Sequence, residues 1–170
     1  MRVSVIGGSS IDDETRAQAR EVGRLLGERG HTVVCGGLGG VMAAACRGAR
    51  EHDAETIGLL PAGRAVDRRE TAERASGNAA SRRADANEWV TTPIATGLGN
   101  ARNPLVVLNG DAVIAIDGAA GTLSELGHAL DHGRPVAGLD THHVGLEGFR
   151  AVETPAEAVE YVESRAGDRG

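Results

Sequence analysis

The sequence predicts an α/β fold in which helices cover both faces of a doubly wound, mostly parallel sheet. Short β-branched runs alternate with amphipathic helical patterns along the whole chain, which is typical of repeated βαβ units. Residues 112–116 read AVIAI, without a polar residue, as expected of a parallel strand that is covered on both faces. The length of 170 residues suits one domain. Together these observations predict a single three-layer, Rossmann-like domain.

The individual elements follow in chain order. Strands are predicted at residues 2–6, 32–35, 55–60, 89–92, 112–116 and 135–139. Helices are predicted at residues 13–29, 41–51, 99–108 and 122–132, where apolar residues recur on one helical face. A last helix is predicted to begin at Thr154, with Pro155 at its first position and Glu157 three residues after the cap. This spacing is that of a capping box.

Residues 64–85 interrupt the alternation. This segment combines Arg-Arg pairs with scattered acids, alanine, serine and glycine, and it has almost no large apolar residue. We therefore expect a solvated, mobile insertion in the domain. An alternative is that its arginines form a flap that gathers anions.

Composition excludes several classes of protein. The net charge is −6, every basic residue is arginine, and aromatic residues make up 2% of the chain. The chain thus lacks the basic surface and stacking platforms of a nucleic-acid binder, and lysine-dependent chemistry is excluded. The apolar runs are too short for a membrane span or a signal peptide, so we expect a cytoplasmic domain without a membrane partner. Cys35 and Cys46 have no CxxC spacing, which disfavours a disulfide framework.

Three glycine-rich segments each follow a predicted strand and lead into a predicted helix. At the carboxyl edge of a parallel sheet, their free N–H groups and the helix dipoles attract phosphate. An alternative is that glycine serves only the geometry of tight turns. The predicted ligand-binding residues in these segments are Gly7, Gly8, Ser9, Gly36, Gly37, Gly39, Gly40, Gly118, Gly121 and Thr122.

A dinucleotide site is disfavoured by the same segments. Nicotinamide-binding folds need GxGxxG after the first strand and an acidic residue at the end of the second. Here the first loop reads GGSS, and the second strand ends in VCGG without an acid.

Four segments resemble the LOG superfamily, whose members were long mislabelled lysine decarboxylases. They are GGSS, CGGLGGVMAAACRGA, TGLGNARN and GTLSE. The similarity covers most of residues 1–139 except the insertion. It is nearest to the small single-domain branch that resembles molybdenum cofactor carriers and is related to DNA-processing protein A.

The resemblance implies an active site. In LOG enzymes, a PGGxGTxxE loop and an upstream arginine cleave a nucleoside 5′-monophosphate into base and ribose phosphate. Glu125 matches that glutamate and Arg102 matches that arginine, so both are the candidate catalytic residues. Asn103 stands in the place of the lysine of the enzymes' MxxRK motif, and it joins the predicted ligand-binding residues together with Met42, which follows the second glycine loop.

The third loop departs from the enzyme pattern at two positions. Alanine replaces glycine at Ala119, where a positive φ would cost about 1 kcal/mol. Asp117 places an acid beside the predicted phosphate site, which lowers anion affinity unless the carboxylate points away.

Glu125 and Arg102 have a chemical role that does not depend on the resemblance. The spacing after Gly121 and Thr122 puts the Glu125 carboxylate one turn into a helix, where it can stabilise a ribosyl cation or activate water. Arg102 can keep Glu125 ionised or clamp a ligand oxygen. The alternative is a structural ion pair at a helix terminus. His128 and His132 lie four residues apart, but without the zincin glutamate we expect surface or interface histidines and no metal site.

We therefore predict a domain that binds a small, nucleotide-like phosphorylated ligand at the carboxyl edge of its sheet. The resemblance implies a carrier or sensor whose ligand is a nucleotide, a phosphate or a molybdopterin-type compound, with no required cofactor. The alternative is a metal-independent hydrolase of the N-glycosidic bond of nucleoside 5′-monophosphates. In both cases we expect a homodimer or homotetramer.

Overall fold

The computed structural model describes residues 1–61 and 86–167. The predicted insertion at residues 64–85 lies outside the described residues, so its properties stay a prediction. Within the described ranges, helices cover both faces of one seven-stranded sheet. The predicted three-layer α/β fold is thus confirmed.

All strand pairings of the sheet are parallel. The spatial order is β4-β3-β2-β1-β5-β6-β7. The strands are β1 (Arg2–Gly7), β2 (Thr32–Cys35), β3 (Thr56–Leu60), β4 (Thr92–Ala95), β5 (Ala112–Ile116), β6 (Val136–Leu139) and β7 (Phe149–Val152). The chain thus winds outwards from β1 in one direction and then returns to β5 to wind in the other. The carboxyl ends of β1 and β5 form the switch point, where open α/β sheets bind ligands.

The helices of the described ranges are all shorter or more polar than a membrane-crossing helix. They are α1 (Asp13–Glu28), α2 (Val41–Arg50), α3 (Asn103–Leu108), α4 (Ala120–Asp131) and α5 (Pro155–Gly167), and a 3-10 turn (Gly99–Arg102) leads into α3. At α5, the Glu157 N–H donates to Thr154 Oγ1 at 3.2 Å, as predicted. The Glu157 carboxylate accepts from the N–H of Glu153 at 2.9 Å, one residue before the cap.

The core consists of two apolar layers, one on each face of the sheet. Helices α1, α2 and α5 pack on one face, and α3 and α4 pack on the other. The side chains of β1 alternate accordingly, with Val3 and Val5 in the first layer and Ile6 in the second. The buried hydroxyl of Ser4 donates to the carbonyl oxygen of Val106 at 2.7 Å, so this polar group is satisfied.

One strand prediction was wrong in its position, and one strand was not predicted. Residues 89–91 of the strand predicted at 89–92 precede β4, because Asn87 holds them in a turn: its side-chain oxygen accepts from the N–H of Trp89, and its carbonyl from Val90. Strand β4 contains Pro93, which an edge strand tolerates because one side of its ladder needs no donor. Strand β7 was missed because Arg150 breaks its short apolar pattern.

Candidate functional site

A cleft opens at the switch point between β1 and β5. Its volume is about 590 Å³, a size typical of small-molecule sites. It brings together ten of the residues predicted to form the site. They are Gly7, Gly8, Ser9, Gly36, Met42, Arg102, Asn103, Gly121, Thr122 and Glu125.

The other predicted glycines, Gly37, Gly39, Gly40 and Gly118, are not among the residues that line this cleft. Gly40 supports the wall instead: its φ is +64°, and a Cβ there would lie 2.1 Å from the carbonyl oxygen of Gly8. The N–H of Val41 donates to that same oxygen at 2.9 Å. These contacts join the first two glycine loops, which is a structural role of glycine rather than a ligand contact.

Helix α4 presents an uncapped N-terminus to the cleft. Its N-cap is Ala119, which has no side-chain acceptor. The first intrahelical bond runs from the N–H of Leu123 to the carbonyl of Ala119, so the three preceding N–H groups have no intrahelical partner. Gly121 and Thr122 belong to this turn and line the cleft. By contrast, the N-terminus of α1 is capped by Asp12, whose side chain accepts from the N–H of Thr15.

In the third glycine loop, the positive φ angle considered for Ala119 falls on other residues. Ala119 has φ −122°, an extended conformation that alanine adopts without strain. The positive φ angles fall on Asp117, at +52°, and Gly118, at +112°. The carbonyl oxygen of Asp117 accepts from Thr141 Oγ1 at 2.5 Å. The Asp117 carboxylate lies against Gly8, where a Cβ would be 2.7 Å from its Oδ2, and Asp117 does not line the cleft.

Arg102 is the buried cation of the site, with 6% of its surface exposed. Its Nη2 donates to the carbonyl oxygen of Gly36 at 3.3 Å, and its Nη1 donates to Asn103 Oδ1. Asn103 therefore orients the guanidinium, which a lysine at that position cannot do because an ammonium only donates. Within the described residues, Arg102 Nε is buried and has no hydrogen-bond partner.

Glu125 lies beside this guanidinium, one turn into α4. Its Oε1 is 4.0 Å from Arg102 Nη1, and 7% of its surface is exposed. Burial raises the pKa of Glu125 to about 7, although the charge of Arg102 acts in the opposite direction. Burial likewise lowers the pKa of Arg102, against the charge of Glu125. A carboxyl group with a pKa near neutrality can exchange a proton with a ligand in either direction.

Several lining residues were missed in the sequence. His128 was expected at the surface or an interface, yet it lines the cleft one turn after Glu125. The spacing of three residues from Glu125 could have placed it on that helical face. The described residues contain no cluster of three metal-ligating side chains. The remaining missed residues are Val5, Ile6, Leu38, Asn100, Ala101, Pro104, Ala119 and Ser124.

The sequence matches one known family over nearly its full length. The model of the SLOG cluster4 family matches residues 1–166. A protein of Archaeoglobus fulgidus, described as uncharacterized, is 38% identical over 162 residues, which are 95% of this chain and 93% of that protein.

Solved structures share the fold. The molybdenum cofactor binding protein from Rippkaea orientalis has a TM-score of 0.79 at 28% identity, covering 96% of this chain and 95% of that one. The molybdenum cofactor carrier protein of Chlamydomonas reinhardtii has a TM-score of 0.75 at 25% identity, covering 98% of both chains. DNA processing protein A from Streptococcus pneumoniae has a TM-score of 0.66 at 17% identity, covering 94% of this chain and 60% of that one, and this likeness shows the fold alone. The resemblance inferred from the four sequence segments, including its nearest branch, is confirmed.

Proposed function

The chain belongs to the SLOG cluster4 family, and from that premise we propose that it is a ligand-binding carrier or sensor. Its ligand is a nucleotide-like phosphorylated compound of the molybdopterin type, held in the cleft between β1 and β5. The observation that carries this proposal is the uncapped N-terminus of α4, which opens into the cleft beside the buried guanidinium of Arg102. Two of the structural neighbours are a molybdenum cofactor binding protein and a carrier protein.

The phosphate position follows from the donors. The free N–H groups at the start of α4 and the positive end of its dipole favour an anion there. Arg102 adds a charge and the buried Nε, a donor without a partner in the described residues. Asn103 Nδ2 lies toward the same turn, 3.9 Å from where a Cβ on Gly121 would be. The residues therefore fit a phosphate group.

The remainder of the cleft suits a ring system. Its wall includes the apolar side chains of Val5, Ile6, Leu38 and Met42. Flat heterocycles are bound mainly by such surfaces, and a few polar groups fix their orientation. Ser124, Glu125 and His128 supply polar groups along α4. A pterin or a purine bound here would supply the ring, and the chain would orient it and shield it from water.

Calorimetry with AMP and with molybdenum cofactor tests the proposal. We expect saturable binding to the wild type and a loss of affinity of about 10- to 100-fold in Arg102→Gln, because a charge-assisted hydrogen bond contributes roughly 1.5–3 kcal/mol. Arg150→Gln is the matched control. Arg150 belongs to the edge strand β7, where its guanidinium lies over the ring of Tyr161, and it does not line the cleft. Failure of both compounds to bind, or equal affinity in Arg102→Gln and the wild type, would contradict the proposal.

A second function is favoured by Glu125, which is buried with a pKa of about 7 beside Arg102. If the phosphate lies at the start of α4, the ribose of a nucleoside monophosphate would extend towards the Glu125 carboxylate, which lies one turn further along the same helix. Glu125 would activate water or stabilise the oxocarbenium-like centre while Arg102 holds the ribose phosphate. The products would be the free base and ribose 5-phosphate.

Chromatography of each nucleoside 5′-monophosphate incubated with the protein separates the two functions. If the protein is a hydrolase, Glu125→Gln should abolish release of the free base while the ligand affinity stays within about tenfold of the wild type. Asp131→Asn makes the same chemical change at an exposed position of the same helix and should keep full activity. Binding without base release would leave the carrier or sensor function, and an equal loss of binding and turnover in Glu125→Gln would make that residue only a ligand contact.

A further inference from the structure

The two cysteines of the chain meet directly behind the cleft wall. Cys35 is the last residue of β2, and Cys46 lies on α2, which packs over that strand. Their Sγ atoms are 3.5 Å apart, and both residues are fully buried. A disulfide requires the two sulfur atoms to approach from this distance to about 2.05 Å. The sequence spacing did not indicate this contact.

The surroundings make the two thiols unequal. The two thiols share a hydrogen bond in which either sulfur can be the donor. Cys35 Sγ also accepts from the N–H of Gly37 at 3.3 Å, and the charge of Arg102 lies nearby. These three contacts lower the pKa of Cys35 against the effect of burial. The hydrogen bond to Cys35 and burial raise the pKa of Cys46. Cys35 is the nucleophile of the pair, because the N–H of Gly37 and the charge of Arg102 stabilise a thiolate at its sulfur.

We propose that Cys35 and Cys46 form a redox modification site, at which a peroxide oxidises them to a reversible intrachain disulfide. The Cys35 thiolate attacks one peroxide oxygen, so that an S–O bond forms, the O–O bond breaks and hydroxide leaves. Hydroxide takes up the proton that Cys35 released. The Cys46 sulfur then attacks the Cys35 sulfur, the S–O bond breaks, and the hydroxyl group leaves as water with the proton of Cys46. In total, two thiols and one peroxide give one disulfide and two waters.

The disulfide acts on the cleft through the segment next to Cys35. Gly36 follows Cys35, lines the cleft and accepts a hydrogen bond from Arg102. Met42 lies on the same helix as Cys46, one turn earlier, and lines the cleft as well. Shortening the distance between the two sulfur atoms draws the end of β2 and the middle of α2, where Cys46 lies, towards each other. Arg102 Nη2 and Met42 Sδ fill the space beside Gly36, where a Cβ would lie 2.6 and 2.9 Å from them, so peroxide reaches Cys35 from the cleft only when these two side chains move. This inference goes beyond the proposed ligand and does not depend on it.

Mass spectrometry of the folded protein tests the site. The protein is incubated with hydrogen peroxide in native buffer, catalase removes the peroxide, and a maleimide then labels free thiols in denaturant. We expect a mass loss of about 2 Da and a fall from two labelled cysteines to none, both reversed by dithiothreitol. Two labelled cysteines, addition of oxygen without that loss of mass, or a disulfide between two chains would overturn the proposal.

Single serine variants test the order of attack. In Cys46→Ser, Cys35 should be trapped by dimedone as a sulfenic acid, whereas in Cys35→Ser the remaining thiol should stay unmodified. The reverse pattern would overturn the assignment of Cys35 as nucleophile. If either variant fails to fold, the measurement on the wild type still decides whether the disulfide forms.

Discussion

Replacing Gly23 with alanine is expected to lower the free energy of unfolding by about 3 kcal/mol, because it overpacks a contact between two helix backbones. A Cβ on Gly23 of α1 would lie 1.9 Å from the carbonyl oxygen of Ala45 on α2. The contact is reciprocal, since a Cβ on Gly48 of α2 would lie 1.9 Å from the carbonyl oxygen of Arg20 on α1. Backbone atoms cannot rotate away as a side chain can. The helices would have to separate and open the apolar layer that they share.

Gly127→Ala is the matched control. Gly127 also lies inside a helix, α4, but no atom would be within 4 Å of its Cβ. Alanine should therefore raise the free energy of unfolding by about 0.5–1 kcal/mol, because it restricts the unfolded chain. Urea unfolding followed by circular dichroism measures both variants. If Gly23→Ala were as stable as the wild type, α1 and α2 would not cross at this contact.

The close contact of α1 and α2 at Gly23 and Gly48 could not be predicted from the sequence. The alternation of strands and helices predicts the layers, since parallel strands need helical crossovers on the faces of the sheet. A glycine inside one helical pattern, by contrast, indicates only a small loss of helix stability. It becomes essential when two helices approach, and one amphipathic pattern does not define that distance. Arg150 in β7 shows the same limit, because an edge strand need not be apolar throughout.

The site likewise has features that the sequence predicts and features that depend on tertiary structure. Glycine loops after β1, β2 and β5 predict the edge of the sheet at which the cleft opens, because parallel strands end there together. The resemblance suggested the proximity of Arg102 and Glu125, and the structure places them 4.0 Å apart. Asn100 could not be assigned to the cleft in this way. Its place there depends on the tertiary structure, which brings the 3-10 turn to the same cleft as residues of α4.

Glu125→Gln is expected to become more stable than the wild type as the pH rises. Glutamate has a pKa of 4.5 in the unfolded chain, and burial raises the pKa of Glu125 in the folded protein to about 7. Between these values the folded protein holds a proton that the unfolded chain has lost, so the stability of the wild type falls through this pH window. Above pH 7 the full cost is about 3 kcal/mol, from roughly 1.4 kcal/mol for each pKa unit.

Glutamine has nearly the shape of protonated glutamate and does not ionise, so this cost is absent from the variant. Urea unfolding at pH 5 and pH 8 should therefore show similar stabilities at the lower pH, and a variant more stable by about 3 kcal/mol at the higher pH. Glu160→Gln removes a carboxylate from the exposed face of α5 and should follow the wild type at both values. If the gap between Glu125→Gln and the wild type did not change with pH, Arg102 would offset the burial of the carboxylate completely. Glu125 would then be ionised at neutral pH, a permanent anion of the cleft that binds cationic groups of a ligand but cannot donate a proton to it.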